Sequence, residues 1–79
     1  MALYAYDEQA DALYVLLAAE PEAAIKETIE LDDRLHIDIG PEGEIVGVEI
    51  LYPTLGAVDL AGLKDRFGLD LRLPFNFAA

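Results

Sequence analysis

The sequence contains no cysteine and no serine, and it has a single histidine. Without cysteine the chain has no disulfide bond, no thiolate nucleophile and no cysteine ligand for zinc. Serine and cysteine are also the two commonest catalytic nucleophiles, and neither Thr28 nor Thr54 has a histidine close to it in the sequence. These absences exclude a hydrolase of the catalytic-triad type.

Basic residues are scarce: five Lys and Arg stand against sixteen Asp and Glu, a formal net charge of −11. Proteins bind phosphate backbones through Lys and Arg, so we expect no nucleic-acid partner. The same charge repels anionic membranes, and no apolar run approaches the roughly 20 residues that span a bilayer. With no signal-peptide pattern either, we expect a cytoplasmic protein. An acidic surface attracts a basic protein partner, although it also serves simply to keep a small domain soluble.

Apolar residues, in contrast, make up 54% of the 79 residues. A single domain of this length buries only about 60–65% of the surface of its unfolded chain. The apolar surplus therefore favours self-association or a partner that covers apolar surface. We expect one domain over residues 1–79 that forms a homodimer, either through sheet faces or by exchange of its C-terminal tail.

Short apolar segments separated by turn residues predict a sheet of about five strands. The first two flank the polar segment 7–11 and are predicted to form a hairpin, because Asp side chains stabilise turns. The last is an almost continuous apolar run, typical of a central strand covered on both faces. The predicted strands are residues 3–6, 12–17, 25–31, Leu35–Ile39 and Ile45–Leu51.

One helix is predicted over residues 59–67, with Asp59 as its N-cap and Gly68 just beyond its end. It is too short to be stable alone, so we expect it to pack on the sheet. In the tail, residues 69–77, apolar and polar residues alternate, and Pro74 is compatible only with an edge strand. The apolar stripe of this tail is the predicted interaction surface: Leu69, Leu71, Leu73, Phe75 and Phe77.

The predicted fold is therefore α+β: an antiparallel β-meander of about five strands within residues 3–52, one helix packed on the sheet, and a C-terminal edge strand. The sequence contains no interdomain linker, no internal repeat and no low-complexity segment. Nothing in this architecture alone specifies an activity.

Three residues are candidates for acid–base chemistry. His36 and Asp38 lie two residues apart and therefore on the same side of a predicted strand, and an imidazole titrates near neutral pH. Glu49 interrupts the most apolar strand and needs a partner, for which Arg34, Lys26 or a residue of a second protomer is available. The simpler interpretation of all three is structural: a solvated His–Asp pair and an ion-paired glutamate.

Asp7 and Asp11 are the candidates for binding a metal ion, since Mg²⁺ and Ca²⁺ need only oxygen ligands. Their spacing lacks the ligand pattern of a calcium loop, and a role in stabilising the turn explains them better. We therefore expect no metal and no cofactor.

Two segments resemble a known family. The stretch Tyr-Asp-Glu-Gln-Ala-Asp-Ala-Leu-Tyr-Val-Leu-Leu at residues 6–17 is similar to the opening signature of the bacterial and archaeal domain of unknown function 2283. The stretch Gly-Glu-Ile-Val-Gly-Val-Glu-Ile-Leu at residues 43–51 is similar to its closing signature. The likeness covers about residues 3–52. It implies a compact β-meander followed by a helix, implies no catalytic residues, and suggests an antitoxin-like small partner of a gene pair.

These observations favour a small acidic, non-catalytic protein-interaction module, antitoxin-like and homodimeric, that meets a basic protein. Two alternatives stay open. One is a small metal-assisted or acid–base enzyme that uses clustered carboxylates and His36. The other is a purely structural domain that self-assembles.

Overall fold

The computed structural model describes residues 3–18, 24–55, 60–69 and 71. They form an antiparallel sheet with one short helix, which confirms the predicted α+β class. No helix within these residues is long and apolar enough to cross a membrane. In chain order the elements are β1 (Leu3–Asp7), β2 (Ala12–Leu16), β3 (Glu27–Asp32), β4 (Leu35–Ile39), β5 (Ile45–Leu51), a 3-10 turn (Pro53–Leu55) and α1 (Ala61–Phe67).

The sheet order is β1-β2-β5-β4-β3, so the prediction of a simple meander was wrong. The chain does form a meander from β3 through β4 to β5, but the β1–β2 hairpin pairs with β5 rather than with β3. β5 is the longest strand and, as its sequence predicted, the central one. β5, the most apolar strand, thereby has a neighbouring strand on each side. In a simple meander it would lie at the edge of the sheet. The further prediction that β5 is covered on both faces was wrong, since its Glu49 side chain is 42% exposed.

One face of the sheet carries the hydrophobic core. Alternate residues of the three inner strands are completely buried there, because successive side chains of a strand point to opposite faces. Leu63 of α1 is also completely buried and belongs to the same cluster, together with Leu71. The fully buried strand residues of this cluster are Leu13, Val15, Leu35, Ile37, Val48 and Ile50.

The turns use the chemistry that their residues predict. Asp7 Oδ1 accepts hydrogen bonds from the backbone N–H groups of Gln9 and Ala10 at 3.0 and 3.2 Å. Asp32 Oδ1 accepts one from the N–H of Arg34 at 2.7 Å. Each carboxylate thus gives a hydrogen-bond acceptor to backbone N–H groups of the turn that follows it.

α1 begins at Ala61, two residues after the predicted start, and its N-cap is Leu60, which makes no side-chain hydrogen bond. The predicted cap, Asp59, lies outside the described residues. The end of the helix is as predicted: Gly68 adopts a left-handed conformation with φ of 65°. Its N–H bonds to the carbonyl oxygen of Lys64 at 3.0 Å and so satisfies a terminal acceptor of the helix.

Two predicted boundaries differ from the structure. β3 begins at Glu27, and Ile25, which was predicted to share the inner face of that strand, is 51% exposed. The backbone N–H of Lys26 still donates to the carbonyl oxygen of Ile39 at 2.7 Å. The neighbouring strand, β4, ends at Ile39, and the backbone turns from Gly40 onward. Ile25 therefore has no part of β4 beside it. The predicted C-terminal strand lies mostly outside the described residues, and Leu69 and Leu71 within them belong to no strand.

Candidate functional site

Polar side chains form rows on the face of the sheet opposite the hydrophobic cluster. Residues directly opposite each other in neighbouring strands lie on the same face. The register pairs Tyr14 with Glu49, Glu49 with His36, and His36 with Glu30. In the next row Gly47 is opposite Asp38, and Asp38 is opposite Thr28. We call this surface the polar face; it comprises Tyr14, Thr28, Glu30, His36, Asp38, Gly47 and Glu49.

The hydrogen bonds of Asp38 connect three strands of the polar face. Its Oδ2 accepts a hydrogen bond from the hydroxyl of Tyr14 on β2 at 2.8 Å. Its Oδ1 accepts one from the hydroxyl of Thr28 on β3 at 2.7 Å. Each carboxylate oxygen therefore has a protein donor. This arrangement fixes the half-buried Tyr14 across β5, since β5 lies between β2 and β4.

Gly47 makes this crossing possible. A Cβ atom at this position would lie 2.5 Å from Cζ and 2.7 Å from Cε2 of Tyr14. Real side chains do not approach each other so closely, so any other residue would force the ring to move. A glycine inside a strand often marks such a close approach. Here the missing side chain leaves room for the tyrosine ring.

His36 and Glu49 are neighbours in the other row. Nδ1 of His36 lies 3.4 Å from Oε1 of Glu49, and the two side chains are 26% and 42% exposed. His36 therefore pairs with Glu49, whereas the sequence suggested a pair between His36 and Asp38. The structure places all three candidate acid–base residues on one face. An imidazole beside a carboxylate can accept and release a proton, but here both groups are open to water, which screens their interaction.

Arg34, one of the predicted partners of Glu49, donates hydrogen bonds to the backbone at the end of β5. Its Nε donates to the carbonyl oxygen of Leu51 at 3.1 Å, and its Nη2 donates to that of Tyr52. These bonds hold the end of β5 where the backbone of Tyr52 turns into a left-handed conformation with φ of 54°. The described contact of Glu49 is with His36, and the pairing of Glu49 with Arg34, Lys26 or a residue of a second protomer stays a prediction.

The electrostatics of the polar face are dominated by carboxylates. None of the five strands contains a Lys or an Arg. Burial and the hydrogen bond to Asp38, followed by the charges of Asp38 and Glu49, raise the pKa of Tyr14 well above its usual 10.0. The tyrosine therefore keeps its proton, and remains a donor to Asp38, at any physiological pH.

The two predicted metal candidates lie at the β1–β2 turn and have protein donors. Asp7 binds backbone N–H groups, as described above. Asp11 accepts hydrogen bonds from the hydroxyls of Tyr6, at 2.8 Å, and Thr54. The Thr54 bond is the main reason that the pKa of Asp11 falls below its usual range. Among the residues that the structure describes, no group of three or more His, Asp or Glu side chains is placed to hold a metal ion.

The predicted interaction stripe of the tail is only partly within the described residues. Leu71 is 9% exposed and belongs to the chain's own hydrophobic cluster, against which Leu69 also packs. These two side chains therefore contribute to the core of the chain. Leu73, Phe75 and Phe77 lie outside the described residues.

Sequence reasoning selected His36, Asp38 and Glu49 but not Tyr14, Thr28 or Gly47 as parts of one surface. The available signal was the glycine in the middle of the most apolar strand, which indicates that another group approaches the backbone. The approaching group is Tyr14, and it is there because β2 pairs with β5. A simple meander does not contain that pairing.

Residues 4–52 match a known protein family, described as "Protein of unknown function (DUF2283)". The chain belongs to this family. The matched segment runs from β1 to the end of β5 and contains the entire polar face, whereas α1 lies beyond it. The resemblance inferred from the two sequence signatures is therefore confirmed. No curated protein matches the chain, and no solved structure matches it either.

Proposed function

We propose that this member of the family is a non-catalytic protein-interaction module, antitoxin-like, that binds a basic surface of a partner protein through its polar face. The observation that carries the proposal is the charge of that face. It presents the carboxylates of Glu30, Asp38 and Glu49, and the five strands contain no Lys or Arg.

The carboxylates of the polar face have different roles in this proposal. Asp38 is engaged by Tyr14 and Thr28, and it holds the surface rigid. Glu30 is exposed and Glu49 is 42% exposed, so these two can approach cations of a partner. Complementary charge of this kind mainly accelerates association and selects the partner. The net charge of −11 extends the same attraction over a longer range.

The test compares three affinity-tagged forms of the full chain as baits in a lysate of the source organism. One is the wild type, one is Glu30→Gln/Glu49→Gln, and one is Glu42→Gln/Asp65→Asn, which removes the same charge from exposed positions off the polar face. We expect the wild type and the control to retain the same Lys- and Arg-rich protein in stoichiometric amount.

The polar-face variant is expected to lose about fivefold in affinity for that protein once it is purified, measured by isothermal titration calorimetry. Each exposed ion pair contributes only about 0.2–1 kcal/mol, so two of them account for a loss of this size. Equal retention by all three baits, or the absence of any basic stoichiometric protein, would contradict the proposal.

The proposal includes a homodimer, supported by large apolar side chains that remain exposed in the described part of one chain. Tyr52 is 46% exposed and Leu55 is 77% exposed. A second copy that covers such side chains would remove apolar surface from water. Light scattering of the purified chain at micromolar concentration is expected to give twice the monomer mass, and a monomer mass would reject this part.

A further inference from the structure

β3 lies at one edge of the sheet and carries Glu30, one of the carboxylates of the polar face. Within the described residues, β3 pairs with β4 alone. An edge strand presents backbone N–H and C=O groups that can pair with a further strand. The side chains of β3 determine which kind of strand fits there.

The two faces of β3 differ in chemistry. Towards the polar face it presents Thr28 and Glu30, both exposed. Towards the core it presents Ile29 and Leu31, which pack against the hydrophobic cluster but remain only half-buried. A strand added at this edge would therefore place alternate side chains beside a carboxylate and beside aliphatic groups.

A second copy of β3 does not meet these requirements. Glu27, Glu30 and Asp32 are all exposed, and pairing two such strands would bring like charges together. The charges that disfavour self-pairing attract a strand of opposite charge.

We propose that β3 binds an extended segment of a partner protein in which basic and apolar residues alternate, and that this segment adds to the sheet as a sixth strand. This inference rests on the proposed function and gives its mode of binding. The basic side chains of the segment lie beside Glu30 on the polar face. Its apolar side chains cover Ile29 and Leu31, while its backbone pairs with β3.

The test uses a synthetic nine-residue peptide that alternates Arg and Val, titrated into the full isotope-labelled chain and observed by NMR. We expect saturable shifts centred on the amides of β3, and slower hydrogen exchange of those amides in the complex. Two comparison peptides separate pattern from charge: one has the same composition with all Arg before all Val, and one alternates Glu and Val. The first should bind at least about tenfold more weakly, and the second should not bind.

N-methylation tests the backbone pairing directly. In a strand, the N–H groups of successive residues point to opposite edges, so methylating every second residue blocks one edge only. One of the two alternately methylated peptides should bind like the parent and the other should not bind. Equal binding by both would show that the peptide backbone is not used and would overturn strand addition.

Protein variants complete the test. Glu30→Gln is expected to weaken the peptide about two- to fivefold, whereas the matched Glu42→Gln should leave it unchanged. Equal affinity for the alternating and block peptides, or slow exchange of β3 amides that grows with protein concentration alone, would overturn the proposal. A basic partner whose binding needs both Glu30 and Glu49, without any strand-specific peptide binding, would leave the proposed function standing and reject only this mode.

Discussion

The two faces of the sheet are made by the same strands and are held together by different forces. β4 shows the contrast most directly, since Leu35, Ile37 and Ile39 are buried while the alternating His36 and Asp38 are half-exposed. On the core face, apolar burial supplies the stabilisation. On the polar face, hydrogen bonds between groups that water can reach contribute much less. Side chains on the polar face are therefore freer to serve recognition.

The family match adds a second difference between the faces. The polar face lies entirely within residues 4–52, whereas Leu63 and Leu71, which complete the hydrophobic cluster, lie beyond them. The surface proposed to bind a partner is thus contained in the segment that defines the family. Part of the cover of its core comes from a segment outside that match.

Removing a buried side chain from the core face is expected to have the largest effect on the free energy of unfolding. Ile37 is completely buried at the centre of the cluster, so Ile37→Ala is expected to lower the free energy of unfolding by about 2–5 kcal/mol. A domain of this size has only about 4–12 kcal/mol in total, so the variant approaches the limit of folding. Urea unfolding followed by circular dichroism measures the change.

Two control variants keep this comparison interpretable. Ile37→Val retains most of the buried volume and is expected to cost about 0.5–1.5 kcal/mol. His36→Ala changes the adjacent residue on the polar face, where the contact with Glu49 is exposed, and is expected to cost no more than about 1 kcal/mol. If His36→Ala destabilised the chain as much as Ile37→Ala, the two faces would not differ as argued.

The core face was largely predictable from the sequence, because its signal is local. The alternation of Leu35, Ile37 and Ile39 and the apolar run Ile45–Leu51 gave the strands and the central position of the last. The order of the strands was not predictable in the same way. It depends on which neighbour the β1–β2 hairpin finds, and periodicity within a strand does not contain that information.

A second prediction concerns the close contact that crosses the polar face. Gly47→Ala places a methyl group against the ring of Tyr14 and is expected to destabilise the chain by about 1–3 kcal/mol. If the collision is the cause, it should disappear when the ring is absent. In a Tyr14→Ala background, Gly47→Ala should be neutral or slightly stabilising, because alanine is favoured over glycine in a strand.

The double-mutant cycle of these two residues is the measurement, with a coupling energy of about 1–3 kcal/mol expected between them. Tyr14→Phe is the matched control for the ring: it removes the hydroxyl oxygen, which is the atom nearest to the added methyl group, and keeps Cζ and Cε2, which also collide with it. Gly47→Ala should remain destabilising in that background. Additive effects of Gly47→Ala and Tyr14→Ala would show that the ring does not lie over Gly47.

The polar face was less predictable than the core for a physical reason. His36, Asp38 and Glu49 could be selected because each is a polar residue in an apolar strand. Their partners could not, because Tyr14 is 24 residues from Asp38 in the chain and meets it only through the register of β2, β5 and β4. A lone glycine such as Gly47 indicates that something approaches, and only the register identifies it.

The smallest predicted effect concerns the hydrogen bond from Tyr14 to Asp38 on the polar face. Tyr14→Phe removes one hydrogen bond to Asp38, which keeps its bond from Thr28, so the expected cost is about 1 kcal/mol near neutral pH. The pKa of Tyr14 is raised in the folded chain, so its contribution is complete below the usual value of 10.0 and is lost as the pH rises above it. Wild type should therefore lose more stability than Tyr14→Phe between pH 10 and pH 12. Absorbance at 295 nm, measured as wild type minus variant, should show this tyrosine ionising above pH 10. Ionisation at or below pH 10 would mean that Asp38 and the sheet do not hold its proton.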